Sequence, residues 1–195
     1  MPRLPAVSGR DAGLSTKIAY YFMRRHFAKL TGRASSEDML GPALVYAHIP
    51  KLLSGYGKLE QAVAKVHLLA LRHRALAELK AATTVRCEYC IDLGSRIARD
   101  WGLTDEQLLA LPNYRTASCF DEVDKLVLDY ATAMSRTPVE VSDELFAKLR
   151  EHFDVPQLVE LTHVIALENL RARFNLALDI GSAGFSEGTV CAIPG

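Results

Sequence analysis

Cys87 and Cys90 lie in the run Val85-Arg86-Cys87-Glu88-Tyr89-Cys90-Ile91-Asp92-Leu93-Gly94-Ser95 and are the only cysteines of this chain spaced to share chemistry. Two thiols so placed at the start of a helix sit on one face, about one turn from each other, within reach of a small disulfide ring. The first of them meets unpaired backbone N–H groups and the positive end of the helix dipole, which favour thiolate over thiol. Arg86 pushes the same way. Glu88 and Asp92 oppose it on the thiols while supporting the helix as acids near its start. Two blander readings stand beside a redox dithiol: half of a zinc site, or a pair of small core residues. Zinc needs two further ligands at short spacing, and Cys119, Cys191 and the six scattered histidines supply no second CxxC or HxxxH pair. The redox reading therefore leads, with no metal and no cofactor implied. Cys119 and Cys191 have no evident partners and read as packing or incidental thiols.

A second set of polar residues interrupts the last apolar helix, Val164-Ile165-Ala166-Leu167-Glu168-Asn169-Leu170-Arg171-Ala172-Arg173-Phe174-Asn175. Asn169 and Arg173 share a face at i,i+4, and Glu168 meets Arg171 at i,i+3. Either pair is solvated, the common fate of charged helix residues, or one points inward and positions the dithiol helix or a substrate. Periodicity alone does not decide between these. His163 reads as a packed or partly exposed histidine rather than a base.

The elements that must position these groups are helical throughout. Residues 1–12 read as a flexible arm. An amphipathic helix follows from Leu14, capped by Ser15 or Thr16, carrying Ile18, Tyr21, Phe22 and Leu30 with a basic cluster at Arg24, Arg25, His26 and Lys29, and ending near Gly32. Such a helix packs on the body or across a subunit interface, or lies on a membrane; four basic groups and zero net charge favour the first. Ser35 to Asp38 opens another helix that stops before Pro50, and Lys51 to Tyr56 reads as a short turn punctuated by Gly55 and Gly57. From Lys58 to about Thr83 the pattern is helical, in one piece or two, with a break at Thr83-Thr84-Val85, three β-branched residues in a row. The dithiol helix ends at Trp101-Gly102. Helices then follow from Thr104 to Leu111, Phe120 to Ser135, Ser142 to Phe153 and Val155 to Ile180, the last closed by Gly181. Residues 182–195 read as a surface tail or an arm over a neighbour. No stretch alternates at period two, so the fold class is all-α, a multi-helix bundle.

At 195 residues the chain reads as one domain able to bury a substantial core. Its 23 basic residues balance 23 acidic ones, so no net field recruits nucleic acid or an anionic membrane. No apolar run approaches the roughly 18 residues of a membrane span, and Met1 to Gly13 lacks the apolar stretch of an export signal. These features predict a cytoplasmic protein, where a CxxC turns over more readily than it staples.

The Ala/Leu-rich run from Leu76 into CEYC and on to Ala98 resembles the core motif of the carboxymuconolactone decarboxylase-like superfamily, whose dithiol branch is typified by alkyl hydroperoxidase D. The stretches HIPKLLSGYGKLEQAV before it, and FDEVDKLVLDYATAMSRTPVEVSDELFAKLREHFD and ALENLRARFN after it, extend the resemblance over roughly residues 40–190, with a core at about 40–180. The resemblance implies an all-helical fold of the alkyl hydroperoxidase D type, assembled as trimers or hexamers. It also implies peroxidase or disulfide-reductase chemistry, with a hydroperoxide or disulfide as substrate and an external dithiol as reductant. In that pattern Cys90 attacks the peroxide, passing through a sulfenic acid, and Cys87 resolves it as a disulfide. The family's relay histidine falls at Gly94 and its glutamate at Ala75, a departure at both ends. Glu78, one turn further along, is the first substitute for the glutamate; Asp92, His67 and His73 are others, and Arg173 is a possible support.

Two alternatives accompany this reading. One is a lyase or isomerase acting on a small lactone or cyclic acid, with Arg173 anchoring a carboxylate and Glu168 or a histidine as base. The other is a non-catalytic, redox-sensing helical oligomer.

Overall fold

The computed structural model describes residues 2–194, and among them every regular element is helical. Nine α-helices run in order: α1 Leu14–Thr31, α2 Gly41–Tyr46, α3 Pro50–Val63, α4 Leu71–Val85, α5 Glu88–Asp100, α6 Asp105–Ala110, α7 Glu122–Ser135, α8 Asp143–His152 and α9 Val155–Ala177. Short 3-10 turns at Asp38–Leu40 and Leu111–Asn113 join them. No helix among the described residues is long and apolar enough to cross a membrane.

The bundle is built around α4, which packs against α5, α7 and α9. Arg74 through Thr83 is buried at every position except Glu78, so this helix shows no single apolar stripe. Ala75, Ala77, Ala81 and Ala82 keep its girth small, letting three helices approach at once. Leu76 and Leu79 of α4, Val127 and Leu128 of α7, and Leu161, Val164 and Ile165 of α9 are all at most 1 % exposed. Burying each such side chain is worth about 1.5 to 3 kcal/mol. The charges that α4 takes inside are partnered. Lys80 donates to the Leu111 carbonyl and lies over the Tyr114 ring, while Arg74 donates to the carbonyls of Val63 and Val66.

Capping fixes the ends of several helices. Thr104, Asp121 and Asp154 each form a reciprocal capping box with the residue three positions on, and Ser142 caps α8.

Four local expectations fail for physical reasons. Lys51 to Tyr56 is not a separate turn: Pro50 starts α3 in the N-terminal position it favours, and the helix runs through Gly55 and Gly57. The β-branched run does not break α4, because the Thr83 and Thr84 hydroxyls both bond back to the Lys80 carbonyl at 3.0 and 2.8 Å and the helix continues to Val85. Gly13, not Ser15 or Thr16, precedes the first turn of α1. Helix α9 stops at Ala177 rather than Ile180, with the Leu178 and Ile180 N–H groups both bonded to the Asn175 carbonyl.

The described segments before α1 and after α9 both lie on the body. The N-terminal arm bonds through Arg3 N–H to the Leu178 carbonyl and through Val7 N–H to the Leu44 carbonyl, and Tyr20 donates to the Val7 carbonyl. The segment after Gly181 folds back along α5 of its own chain instead of hanging free: Phe185 is 3 % exposed, set edge-on to Phe27 and Tyr89.

Candidate active site

The two cysteines owe their placement to the way α4 ends. Arg86 takes the left-handed conformation at φ 60°, and the Cys87 N–H bonds to the Ala82 carbonyl at 3.1 Å, closing α4 as a helix end normally closes with glycine. The chain then reverses so that Cys87 becomes the N-cap of α5, its Sγ accepting the Cys90 N–H at 3.3 Å. A sulfur thus fills the position that a serine or aspartate oxygen usually takes. The two Cα atoms are 5.2 Å apart and the sulfurs are joined as a disulfide, within the ordinary bridging range of about 4.4 to 6.8 Å. Cys87 has no exposed surface; Cys90 keeps 7 %.

One side chain beyond the motif reaches both sulfurs. Asn175, in the last turn of α9 and 2 % exposed, places Nδ2 3.5 Å from Cys90 Sγ and 3.7 Å from Cys87 Sγ. Its Oδ1 is buried without a hydrogen-bond partner. Sequence reasoning quoted Asn175 only as the end of a motif. The available signal was its spacing: it lies one turn after Arg171 and two turns after Glu168, on the same face of an otherwise apolar helix.

The positions where the relay was expected are closed. Ala75 is 4 % exposed inside the bundle, and a Cβ built on Gly94 would stand 3.2 Å from Leu79 Cδ1. Leu79 therefore fills the space beside Gly94.

The expected substitutes go elsewhere. Glu78 pairs with Arg74 at 3.2 Å, and Arg74 lies 3.7 Å from Glu160. Asp92 accepts four hydrogen bonds from the folded-back segment, from Ser182 Oγ and the N–H groups of Ala183, Phe185 and Ser186, at 2.7 to 3.0 Å. Its carboxylate anchors residues 182–186. Arg173 donates to Thr137 Oγ1 at 3.0 Å and to the Ser135 carbonyl, tying α9 to the end of α7. It has no hydrogen bond with either sulfur or with Glu168. His73 sits edge-on to Phe153, 3.8 Å from Asp124, with burial lowering its pKa. His163 lies on the groove between α8 and α9.

The expected pair of Glu168 and Arg171 does form, at 2.9 Å, and it points inward rather than into solvent. Arg171 also makes a bidentate bridge to Glu60 at 2.9 and 2.5 Å. Burial, with the negative charge of Glu78 adding to it, pushes the Glu168 carboxyl up to about 6 against the attraction of Arg171. At Glu60 burial acts the same way but loses to the hydrogen bond and charge of Arg171, so that carboxyl is lowered. One arginine thus holds two acids with opposite shifts. Among the described residues no three His, Cys, Asp or Glu side chains gather to hold a metal ion.

Residues 50–133 match the model of the carboxymuconolactone decarboxylase family. The chain is 41 % identical over 122 residues to the Escherichia coli (strain K12) protein YnjA, a match covering 62 % of this chain and 64 % of YnjA. It thus spans somewhat less than two thirds of that relative's length. The Bacillus subtilis (strain 168) protein YdfG is 27 % identical over 106 residues, covering 54 % of this chain and 72 % of YdfG. Among solved structures, a peroxidase-related protein from Ralstonia eutropha JMP134 described as an alkylhydroperoxidase AhpD core superposes with a TM-score of 0.73 at 18 % identity over 94 % of both chains. The debrominase Bmp8, in complex with 2,3,4-tribromopyrrole, gives 0.70 at 20 % identity over 92 % of both. At these identities the structures establish the shared fold.

Proposed function

We propose, from the match of residues 50–133 to the carboxymuconolactone decarboxylase family model and from the fold shared with the AhpD-core structure, that the chain is a thiol-dependent oxidoreductase working through Cys87 and Cys90. The observation that carries the reading is the disulfide at the start of α5, in which Cys90 retains surface and Cys87 retains none. That asymmetry suits an attacking and a resolving thiol respectively.

With a hydroperoxide, the Cys90 thiolate attacks one peroxide oxygen. The O–O bond breaks, the alcohol leaves after taking a proton, and Cys90 becomes a sulfenic acid. The Cys87 thiol then attacks the sulfenic sulfur, expelling water and forming the disulfide. An external dithiol returns two electrons and two protons through a mixed disulfide and is itself oxidised. With a disulfide substrate, Cys90 forms the mixed disulfide and Cys87 releases the second substrate thiol. Assembly into trimers or hexamers and residence in a reducing, cytoplasmic compartment belong to the same proposal. The lyase alternative needs a base and a cationic anchor, and in this structure Arg173 bonds to Ser135 and Thr137.

Reduced protein incubated with a hydroperoxide or a small disulfide tests the reading. Cys90→Ser is expected to abolish consumption. Cys87→Ser is expected to permit one turnover and then stall with Cys90 as sulfenic acid or mixed disulfide. Undiminished turnover in both variants would remove the proposal.

A further inference from the structure

Asn175 is a costly residue to keep where it is. A buried amide that fulfils only its donor half leaves hydrogen bonding unmet, and a leucine of similar size would avoid that cost. Disulfide sulfurs carry lone pairs and no proton. Only the N–H end of the amide can face them, which is the orientation observed. The carbonyl end is then left without a donor.

Reduction changes the inventory of protons. The disulfide takes two electrons and one proton, from the external dithiol and solvent, and becomes one thiolate and one thiol. The thiolate is a stronger acceptor than a disulfide sulfur, and the thiol is a donor that did not exist before.

We infer that Asn175 is a positioning residue that distinguishes the two oxidation states of the pair, its Nδ2 donating to the Cys90 thiolate and its orphan Oδ1 accepting the S–H of Cys87 once the disulfide is opened. The amide thereby acts against the Cys90 N–H, which favours a thiolate at Cys87, and holds Cys90 ionised and Cys87 protonated. It favours the reduced form over the oxidised one, so the disulfide is a better oxidant than the CxxC at a helix start would be alone. The inference rests on the dithiol reading above but not on any particular substrate.

Asn175→Leu and Asn175→Asp, made in the full chain, test it by two readouts that need no turnover. These are the thiolate absorbance titration of the reduced protein, and redox equilibrium against a glutathione buffer of known potential. In Asn175→Leu the pKa of the attacking thiol is expected to rise by about one unit, the scale of one hydrogen bond to a charged group. The equilibrium constant for reduction is expected to fall about tenfold, a potential more negative by about 30 mV. Asn175→Asp keeps the shape but sets a negative charge beside the thiolate, so both shifts are expected in the same direction and larger.

A residue that merely fills space would lower the melting temperature and move neither readout; that result, or shifts of opposite sign, overturns the inference. The functional reading fails separately. If Cys90→Ser leaves substrate consumption intact while Asn175→Leu moves the potential, the dithiol is redox-active but is not the catalyst.

Discussion

Replacing Glu168 with glutamine should change how stability depends on pH, because the wild-type carboxyl is inside the bundle and titrates there. Its side chain is 8 % exposed, and its pKa is raised from 4.5 to about 6, by burial first. Between those two values the folded chain binds more protons at this site than the unfolded chain does. Stability from this group is therefore complete below about pH 4.5 and is lost as pH rises through 6. The difference of 6 and 4.5 is 1.5 pKa units, worth about 2 kcal/mol in all. Glutamine has the same shape and no proton to lose. Arg171 remains bound to Glu60 in the variant, so no cation is left bare in the core. Urea unfolding of both proteins across pH 4 to 8 isolates the effect, since the other titrating groups are common to the two chains. The stability of Glu168→Gln relative to wild type should climb by about 2 kcal/mol from the acid to the neutral end, or about 5 °C in melting temperature for a chain of this size. The absolute offset depends on what the Arg171 ion pair is worth; the slope does not. A difference that stays flat, or that falls with pH, would mean that Arg171 outweighs burial and that the carboxyl is ionised throughout, refuting the reasoning.

Two further outcomes follow from α5. Asp92→Ala strips the acceptor from three backbone N–H groups and the Ser182 hydroxyl. It should cost about 3 kcal/mol in urea unfolding and remove hydrogen-exchange protection from Ala183, Phe185 and Ser186; retained protection would show that the segment is held by Phe185 instead. At Gly94, alanine gains about 1 kcal/mol of helix propensity but presses on Leu79, so Gly94→Ala should lie within about 1 kcal/mol of wild type. The larger Gly94→His should lose about 2 kcal/mol by overpacking, and a histidine variant as stable as the parent would show that the space beside α5 is open.

Much of this fold could be read from local chemistry. Thr104 and Ser142 at helix starts, and the glycines after α1 and α5, are signals that act within a few residues, and helices begin and end there accordingly. Some failures came from local effects, such as Pro50 starting α3 and the Thr83 and Thr84 hydroxyls bonding back to Lys80, and others from contacts distant in sequence. Arg86 in a left-handed conformation has no sequence signal comparable to glycine, yet it rather than the threonines ends α4. The three glycines and the proline of 182–195 suggest a surface tail or an arm over a neighbour, and only the position of Asp92 across from Ser182 to Ser186 reveals that the segment has a dock on its own chain. In the site, both cysteines and the Glu168–Arg171 pair were legible because each is a spacing on one helix. Asn175 was not, because it meets the sulfurs across an interface between α5 and α9, a contact that no periodicity encodes.

The departures at Gly94 and Ala75 and the presence of Asn175 are parts of one arrangement. Leu79 of α4 occupies the space beside Gly94, and Ala75 is sealed within the bundle, so α4 and α5 meet through hydrocarbon where a proton relay was expected. A polar group for the sulfurs then has to come from the third neighbour, α9, and it comes as an amide. An amide and a helix N-terminus both favour a thiolate by fixed donors. Neither carries a proton to a leaving group. An alkoxide expelled from a hydroperoxide is a strong base and needs that proton, whereas a thiolate expelled from a disulfide needs it far less, since leaving ability in thiol exchange rises as the leaving thiol becomes more acidic. On the oxidoreductase reading proposed above, exchange with another disulfide, in which sulfur leaves sulfur, makes the smaller proton demand on these residues.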